Sequence, residues 1–331
     1  MIKNIIKKLT LAVVSVMMLT VSLISPSYSA KLKLTMATSG SETDARSVAI
    51  ASVMLPMISN FADVKIGYNS TMFDQGTELD AISRGNLDMS ITSAQELAQF
   101  FPEFSIFATG YVHQDAAHQV RVFNNELMNP FMKKVEDDLD VKIFLGKRHV
   151  NLRQTKDELT VKTPADLKGV NLRMPGTDAW QFLGKALGAS PTPLAFNEVY
   201  TALQTGAVDG QDNPLPTVVD KKFYEVTKQI ILTSHLVDLN YIAFSKKTWD
   251  KLSGDQKMRL QQAADAAASW GRLRQLQLEN GLADFVRSQG LEIYEPDSAA
   301  FRKHVQKQYV GSEFAKSWPK GVLKKINSLG N

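Results

Sequence analysis

The run SGDQKMRLQQAADAAASWGRLRQLQLENGLADFVRS, Ser253 to Ser288, carries the decisive information about architecture. Ser253 stands three residues before Gln256, a pair that closes a helix N-terminus reciprocally. Leu260, Ala264, Ala267, Leu273, Leu276 and Phe285 then recur at helical spacing. Gly271 and Gly281 weaken the pattern, and a break at either is the alternative to one continuous helix. Unbroken, at about 1.5 Å per residue it is roughly 50 Å long, against roughly 30 Å for the width of a small domain. Such a helix crosses two lobes and limits their movement to a bend.

Outward from this run, short β-rich segments alternate with helical patterns, as in α/β lobes whose sheets are covered by helices. Strands are expected at Leu32–Ala37, Val64–Tyr68, Leu87–Ile91, Val141–Leu145, Val170–Met174, Ile230–Thr233 and Tyr241–Ser245. Helices are expected at Glu42–Ser59, Thr77–Arg84, Ala116–Asp138, Ala179–Leu187 and Asn197–Thr205, with a capped start at Thr163-Pro164-Ala165-Asp166. Neither an internal repeat nor a low-complexity tract is visible.

Residues 1–30 read as a secretory leader: Lys3, Lys7 and Lys8, an apolar stretch from Leu9 to Ile24, and mostly small residues after Pro26. Removing those three lysines from 38 basic residues against 34 acidic ones leaves a net charge of +1, so no nucleic-acid partner is expected. The absence of cysteine excludes disulfides, thiolate metal sites and a lipidated N-terminal cysteine, and the mature chain is expected free in the periplasm. About 300 remaining residues exceed what one hydrophobic core usually serves, which again asks for two lobes.

No enzyme signature emerges. Gly-x-Ser-x-Gly, His-Glu-x-x-His, a phosphate-cradling glycine loop and a calcium loop are all missing, and Asp209-Gly210-Gln211-Asp212-Asn213 lacks calcium-loop spacing. No cofactor, metal or catalytic residue is expected. His113 and His118 read as surface or structural residues, and His149 either lines a cleft or is a solvated histidine in a connecting segment. Arg173, by contrast, closes a strand in Leu167-Lys168-Gly169-Val170-Asn171-Leu172-Arg173-Met174-Pro175, where open α/β sheets bind ligands. Its planar fork matches a carboxylate, although an ordinary surface ion pair accounts for the spacing equally well. Phe196 and Trp180 are pocket walls or core, and Asn213, just before Pro214, is an exposed amide or a turn residue.

These segments resemble the DctP-type receptors of tripartite ATP-independent periplasmic (TRAP) transporters, nearest to the sialic-acid-binding branch. The likeness runs through Asn151-Leu152-Arg153-Gln154-Thr155, the Arg173 strand, Gly188 to Gln204, Val208 to Pro214 with Lys222 to Val226, and Leu252 to Gln256. It implies a two-lobed, hinged periplasmic binding protein fold with one long helix spanning both lobes. One lobe is expected to hold residues 31–150 plus 239–278, the other 151–238 plus 279–331. The resemblance makes Arg173 the carboxylate clamp, Arg153 a second arginine reaching the anion, Asn213 the opposite wall and Phe196 the aromatic packed on the ligand. Ala37, Ser93 and Gly176 stand where sialic-acid receptors carry polar groups, and Trp180 takes space a larger ligand would use, which argues for a smaller acid. Ser93, Trp180 and His149 complete the expected pocket. The implied ligand is a small organic anion: a sugar acid, a hydroxy or keto acid, a C4-dicarboxylate, or a small sulfonate. The implied partners are one small and one large integral membrane subunit, with no ATPase; the receptor itself is expected to be a monomer. A binding protein that presents its ligand to a membrane sensor is the alternative.

Overall fold

The computed structural model describes residues 30–145, 152–155, 160–237 and 240–330. The leader therefore lies outside the described residues apart from Ala30. Among those residues the strands are β1 (Leu32–Ala37), β2 (Ala62–Gly67), β3 (Met89–Ser93), β4 (Val141–Leu145), β5 (Leu152–Thr155), β6 (Asn171–Met174), β7 (Ser190–Pro193), β8 (Gly210–Asn213), β9 (Gln229–Ile231), β10 (Asn240–Ser245) and β11 (Glu292–Tyr294). They form two sheets, in the orders β2-β1-β3-β10-β4 and β11-β9-β5-β8-β6-β7. In the first, β1 and β3 run parallel and β10 lies antiparallel between β3 and β4. In the second, β6 is parallel to both β7 and β8, while β5 runs antiparallel to β8 and β9.

Four strands were not expected as strands, and their composition explains why. β5, β7, β8 and β11 read LRQT, SPTP, GQDN and EIY, with no run of alternating apolar residues. β7 tolerates Pro191 and Pro193 because it is an edge strand, where a missing N–H costs no ladder bond. The helix expected over Ala116–Asp138 is interrupted, giving Ala116–Phe123 and Asn129–Leu139. Between them the Asn125 side chain accepts the Leu127 N–H, and Pro130 opens the second helix.

The long helix is continuous from Gly254 to Ser288, 35 residues, with the Ser253–Gln256 capping box formed. It packs on the helical segment Ala45–Ile58 beside the first sheet, and on the helix Leu215–Asp220 and β11 beside the second, so it spans both lobes. Leu260, Ala264 and Ala267 are buried as the stripe requires, but Leu273 is 55% exposed. Near the middle of the helix it is Gly271 that faces the protein: a Cβ there would lie 3.3 Å from Ala49 Cβ. The glycine that reads as a weak point is thus a place of close approach between two helices. Farther on, Phe285 meets Tyr224 edge-on at 5.4 Å.

The first lobe's core is aromatic, with Phe104 and Phe107 edge-on to Phe131 at 5.4 and 4.9 Å. The second sheet is covered on both faces: Ile231 joins the cluster of Leu172, Met174 and Leu183, while its neighbour Ile230 joins that of Val199, Leu203 and Val218, the alternation of a strand. Phe301, Val305 and Tyr309 of the helix Ser298–Val310 pack into the former cluster.

The chain's end departs from the expected partition. Ile326 is buried in the first lobe's core, with Trp318, Val322, Leu323 and Leu329 packed against it. The apolar face of the helix Val322–Ser328 finds its partners there, and Arg121 Nε and Nη2 hold the carbonyls of Leu329 and Gly330 at 2.5 and 3.2 Å. The helix Val322–Ser328 accordingly joins the first lobe, while ahead of it Phe314 meets Phe182 at 5.2 Å and Trp318 packs on the second lobe's cluster as well. His113 and His118 are both buried, their rings edge to face at 5.6 Å. His118 Nδ1 accepts the Gln114 N–H, which leaves its Nε2–H to donate to Ile326 O at 2.8 Å.

Candidate functional site

Between the sheets lies a cleft of about 1100 Å³, open solvent included, at the carboxyl ends of β3, β6 and β8. Arg173, third of the four residues of β6, is 1% exposed and reaches its wall. Its Nε and Nη2 donate to Leu194 O at 2.9 and 2.7 Å, and Nη2 also reaches Gln75 Oε1 at 3.2 Å from the other side of the cleft. Nη1 makes no hydrogen bond among the described residues. Burial pushes the guanidinium pKa down to about 9, with Asp212 and Glu198 opposing, so the group stays charged at neutral pH. A charged fork held along one edge with its other nitrogen unused is arranged to receive an anionic oxygen.

Phe196 lines the same cleft and belongs to the core as well: its ring lies 5.5 Å from Arg173 Cζ and 5.6 Å from Lys221 Nζ, and 6.2 Å edge-on from Phe223. Asn213, at the end of β8, lines the cleft from the same sheet as Arg173 rather than from the opposite wall expected of it, because β8 pairs directly with β6; its amide donates to Gln211 Oε1. Trp180 lines the cleft from the helix Asp178–Ala186; its indole Nε1 is buried without a hydrogen-bond partner. Ser93 lines the cleft too, but its hydroxyl caps the helix Ala94–Leu97 by accepting the Glu96 N–H at 3.3 Å. The backbone of Arg153 stands in β5 opposite Asp212 and Ile231, one strand away from Arg173's neighbours; its side chain lies outside what is described. His149 lies outside the described residues. Ala37 is in the first lobe's core rather than on the cleft wall.

Sequence reading missed an acidic half of the cleft. Asp44, Glu78, Glu96, Asp212 and Asp220 all line it, together with Arg46 and Gln75. Asp44 grips Arg46 through both oxygens at 2.8 and 2.7 Å, and Arg46 Nη1 donates to Asn240 at 3.0 Å. Asp212 faces His235 Nε2 at 3.3 Å, both side chains buried, while Thr233 Oγ1 meets the other ring nitrogen at 2.7 Å. Burial and the neighbouring Glu96 carboxyl raise the pKa of Glu78, against backbone N–H groups of residues 76–78 that lower it. In sequence Glu78 and Glu96 are indistinguishable from the carboxylates that favour any helix's first turn. Among the described residues no group of three or more His, Cys, Asp or Glu is gathered to hold a metal ion. The carboxylate of Asp209 is instead taken by the Asn171 N–H at 2.8 Å.

The two walls also touch directly. Asp220 accepts from Ser41 Oγ at 2.7 Å through each oxygen and from Thr43 Oγ1 at 2.5 Å, and Lys221 Nζ donates to Asn69 at 2.6 Å. Ser41, Thr43 and Asn69 follow strands of the first sheet; Asp220 and Lys221 follow β8 of the second. The cleft is held shut at this rim.

Two α/β lobes, a spanning helix and a cleft at the strand ends define the class of two-lobed solute receptors. The chain belongs to the DctP family of bacterial extracellular solute-binding proteins, family 7, whose pattern matches residues 60–316. It is 68% identical to a TRAP periplasmic solute-binding protein from Roseobacter denitrificans solved with bound 3-deoxy-D-manno-oct-2-ulosonic acid (KDO); the match covers 91% of this chain and 100% of that one, with a TM-score of 0.86. It is 32% identical over 259 residues to the sialic acid-binding periplasmic protein SiaP of Vibrio cholerae, covering 77% of this chain and 79% of that protein. A TRAP receptor from Bordetella, solved with density assigned to pantoate, is 25% identical with a TM-score of 0.83, covering 90% of this chain and 99% of that one. Family members are extracytoplasmic receptors, and among the described residues no helix is long and apolar enough to cross a membrane.

Proposed function

We propose that this receptor captures a sugar acid of the 2-ulosonic type, with KDO as the leading candidate, and delivers it to the integral subunits of a TRAP transporter. Arg173 carries the reading: a wholly buried guanidinium at the cleft wall with one nitrogen unused suits a single carboxylate, and Arg153 of β5 is assigned as the second cation on its resemblance to the family's second arginine. Phe196 packs on the ligand and Asn213 supplies an amide from the strand beside that of Arg173. The receptor at 68% identity was solved with KDO, an acid of eight carbons, which also supports a ligand larger than the small acid that Trp180 suggests from sequence. Residues 1–30 act as an export leader, and the mature receptor works as a periplasmic monomer that binds without turnover. Its first lobe comprises residues 31–150 and 239–278 together with the end of the chain.

A thermal-shift screen of the mature protein tests this, because a ligand bound only by the folded state raises the melting temperature. KDO is expected to give the largest shift among KDO, galactonate, pantoate, succinate and an uncharged hexose. A shift with the hexose and none with any acid would sink the assignment. Chromatography of the recovered ligand should return it unchanged.

A further inference from the structure

We infer that the cleft has an antechamber, a second anion-binding site beside Phe196 in which Lys221 takes an entering carboxylate before Arg173 does. The inference rests on the sugar-acid reading above. The site is a cavity of about 500 Å³, open solvent included, lined by Ser39 and Asn69 of the first lobe and by Phe196, Asn197, Lys221 and Phe223 of the second. Ser39 and Phe196 line this cavity and the main cleft alike, so the two spaces share a wall. Each space sets a cation against that wall: Arg173 Cζ lies 5.5 Å from the centre of the Phe196 ring in the cleft, and Lys221 Nζ lies 5.6 Å from it in the antechamber. Lys221 caps the helix Leu215–Asp220 at its C-terminus with its N–H on Thr217 O, so the ammonium is carried on an anchored backbone.

Charge favours this way in. The main cleft is lined by Asp44, Glu78, Glu96, Asp212 and Asp220 against two arginines, a poor field for drawing an anion out of solvent. Among the described residues that line the antechamber, Lys221 is the one charged group. Its three N–H positions are not all taken. Nζ donates to Asn69 Oδ1 at 2.6 Å, whereas Asp220 at 3.8 Å is beyond hydrogen-bond reach and spends its oxygens on Ser41 and Thr43. Burial lowers the ammonium pKa from the ordinary lysine range, with Asp220 and Asp44 opposing, as befits a cation short of water. Asn69 belongs to the first lobe, while Lys221, Phe196 and Arg173 all stand on the second. Opening the cleft therefore breaks the Asn69 bond and leaves two cations with one aromatic ring between them on a single lobe. A carboxylate paired with Lys221 has only to pass Phe196 to reach the Arg173 fork. Closure then returns Lys221 to Asn69 behind it.

The test is stopped-flow fluorescence of the mature protein mixed with KDO at about 20 and about 300 mM salt, because a steering cation acts on association and is screened by ions. The wild-type association rate is expected to fall severalfold between the two. Lys221→Met should lower the low-salt association rate about fivefold and weaken its salt dependence, and Lys221→Arg should restore both. A lysine that serves only as a rim contact behaves differently: Lys221→Met then speeds dissociation and leaves association and its salt dependence as in wild type. That outcome overturns the inference, and so does a Lys221→Arg variant that associates as slowly as Lys221→Met. Should Lys221→Met not fold, a wild-type association rate independent of salt overturns it equally. Failure of KDO to bind wild type overturns the sugar-acid reading, and the same comparison with the acid giving the largest thermal shift then decides the role of Lys221 separately.

Discussion

Arg173 concentrates the site's energetics in one side chain. Burying a guanidinium costs several kcal/mol unless its hydrogen bonds are met, and here Leu194 O, Gln75 and the Phe196 face meet all but one nitrogen. Arg173→Ala should therefore lower affinity by about 3–5 kcal/mol, leaving a buried carboxylate unpaired. Arg173→Lys should also bind poorly, since a point charge cannot span the same fork. Calorimetry with both variants is the check, and wild-type affinity in both would remove the clamp. At the same scale, His113 governs the response to acid. Burial and its neighbour His118 lower its pKa to about 3, and both ring nitrogens lack partners. The unfolded chain binds a proton near pH 6.5 that the native chain refuses, so stability is full above that pH and is lost as pH falls toward 3. His113→Phe should flatten urea-unfolding stability between pH 6.5 and 4; an unchanged slope would show that another group dominates.

Elements succeed or fail on a few contacts, and Gly188 is the tightest. It has φ of 102° and a Cβ there would lie 2.2 Å from Pro164 O, a backbone atom that cannot swing aside. Gly188→Ala should cost about 3 kcal/mol or more, read as a lower urea midpoint, whereas Ser253→Ala should cost about 1 kcal/mol through its lost cap. The capping boxes at Ser253 and Thr163 were legible from sequence because their information is local: two polar side chains three residues apart. So were β1 and β10, whose apolar runs bury in a sheet. β7 and β8 were not, because pairing with β6 rather than their own composition makes them strands. Leu273 misled for a related reason: the helix changes the lobe it packs against midway, so no single stripe serves its whole length. Arg173 was visible through its place at a strand end, but the acid wall was not, since only the third dimension brings Glu78 and Glu96 together.

For the whole molecule, the rim contacts of Asp220 with Ser41 and Thr43 contribute only to the shut form, and they bias the equilibrium without touching Arg173. Asp220→Ala should enlarge the ligand-free receptor in small-angle scattering and weaken KDO about three- to tenfold, because the binding-competent fraction falls. Unchanged scattering and affinity would deny the rim that role. The placing of β10 reaches beyond binding. This strand fills the gap between β3 and β4, yet it follows β4 in the chain only after β5 to β9 have been made. A polypeptide emerging from its N-terminus therefore exposes two open strand edges until residue 245 has been made, and long-range pairing of this kind is slow. Lobe-by-lobe maturation is closed to it. The first sheet instead closes in one late event, after about three quarters of the chain has been made.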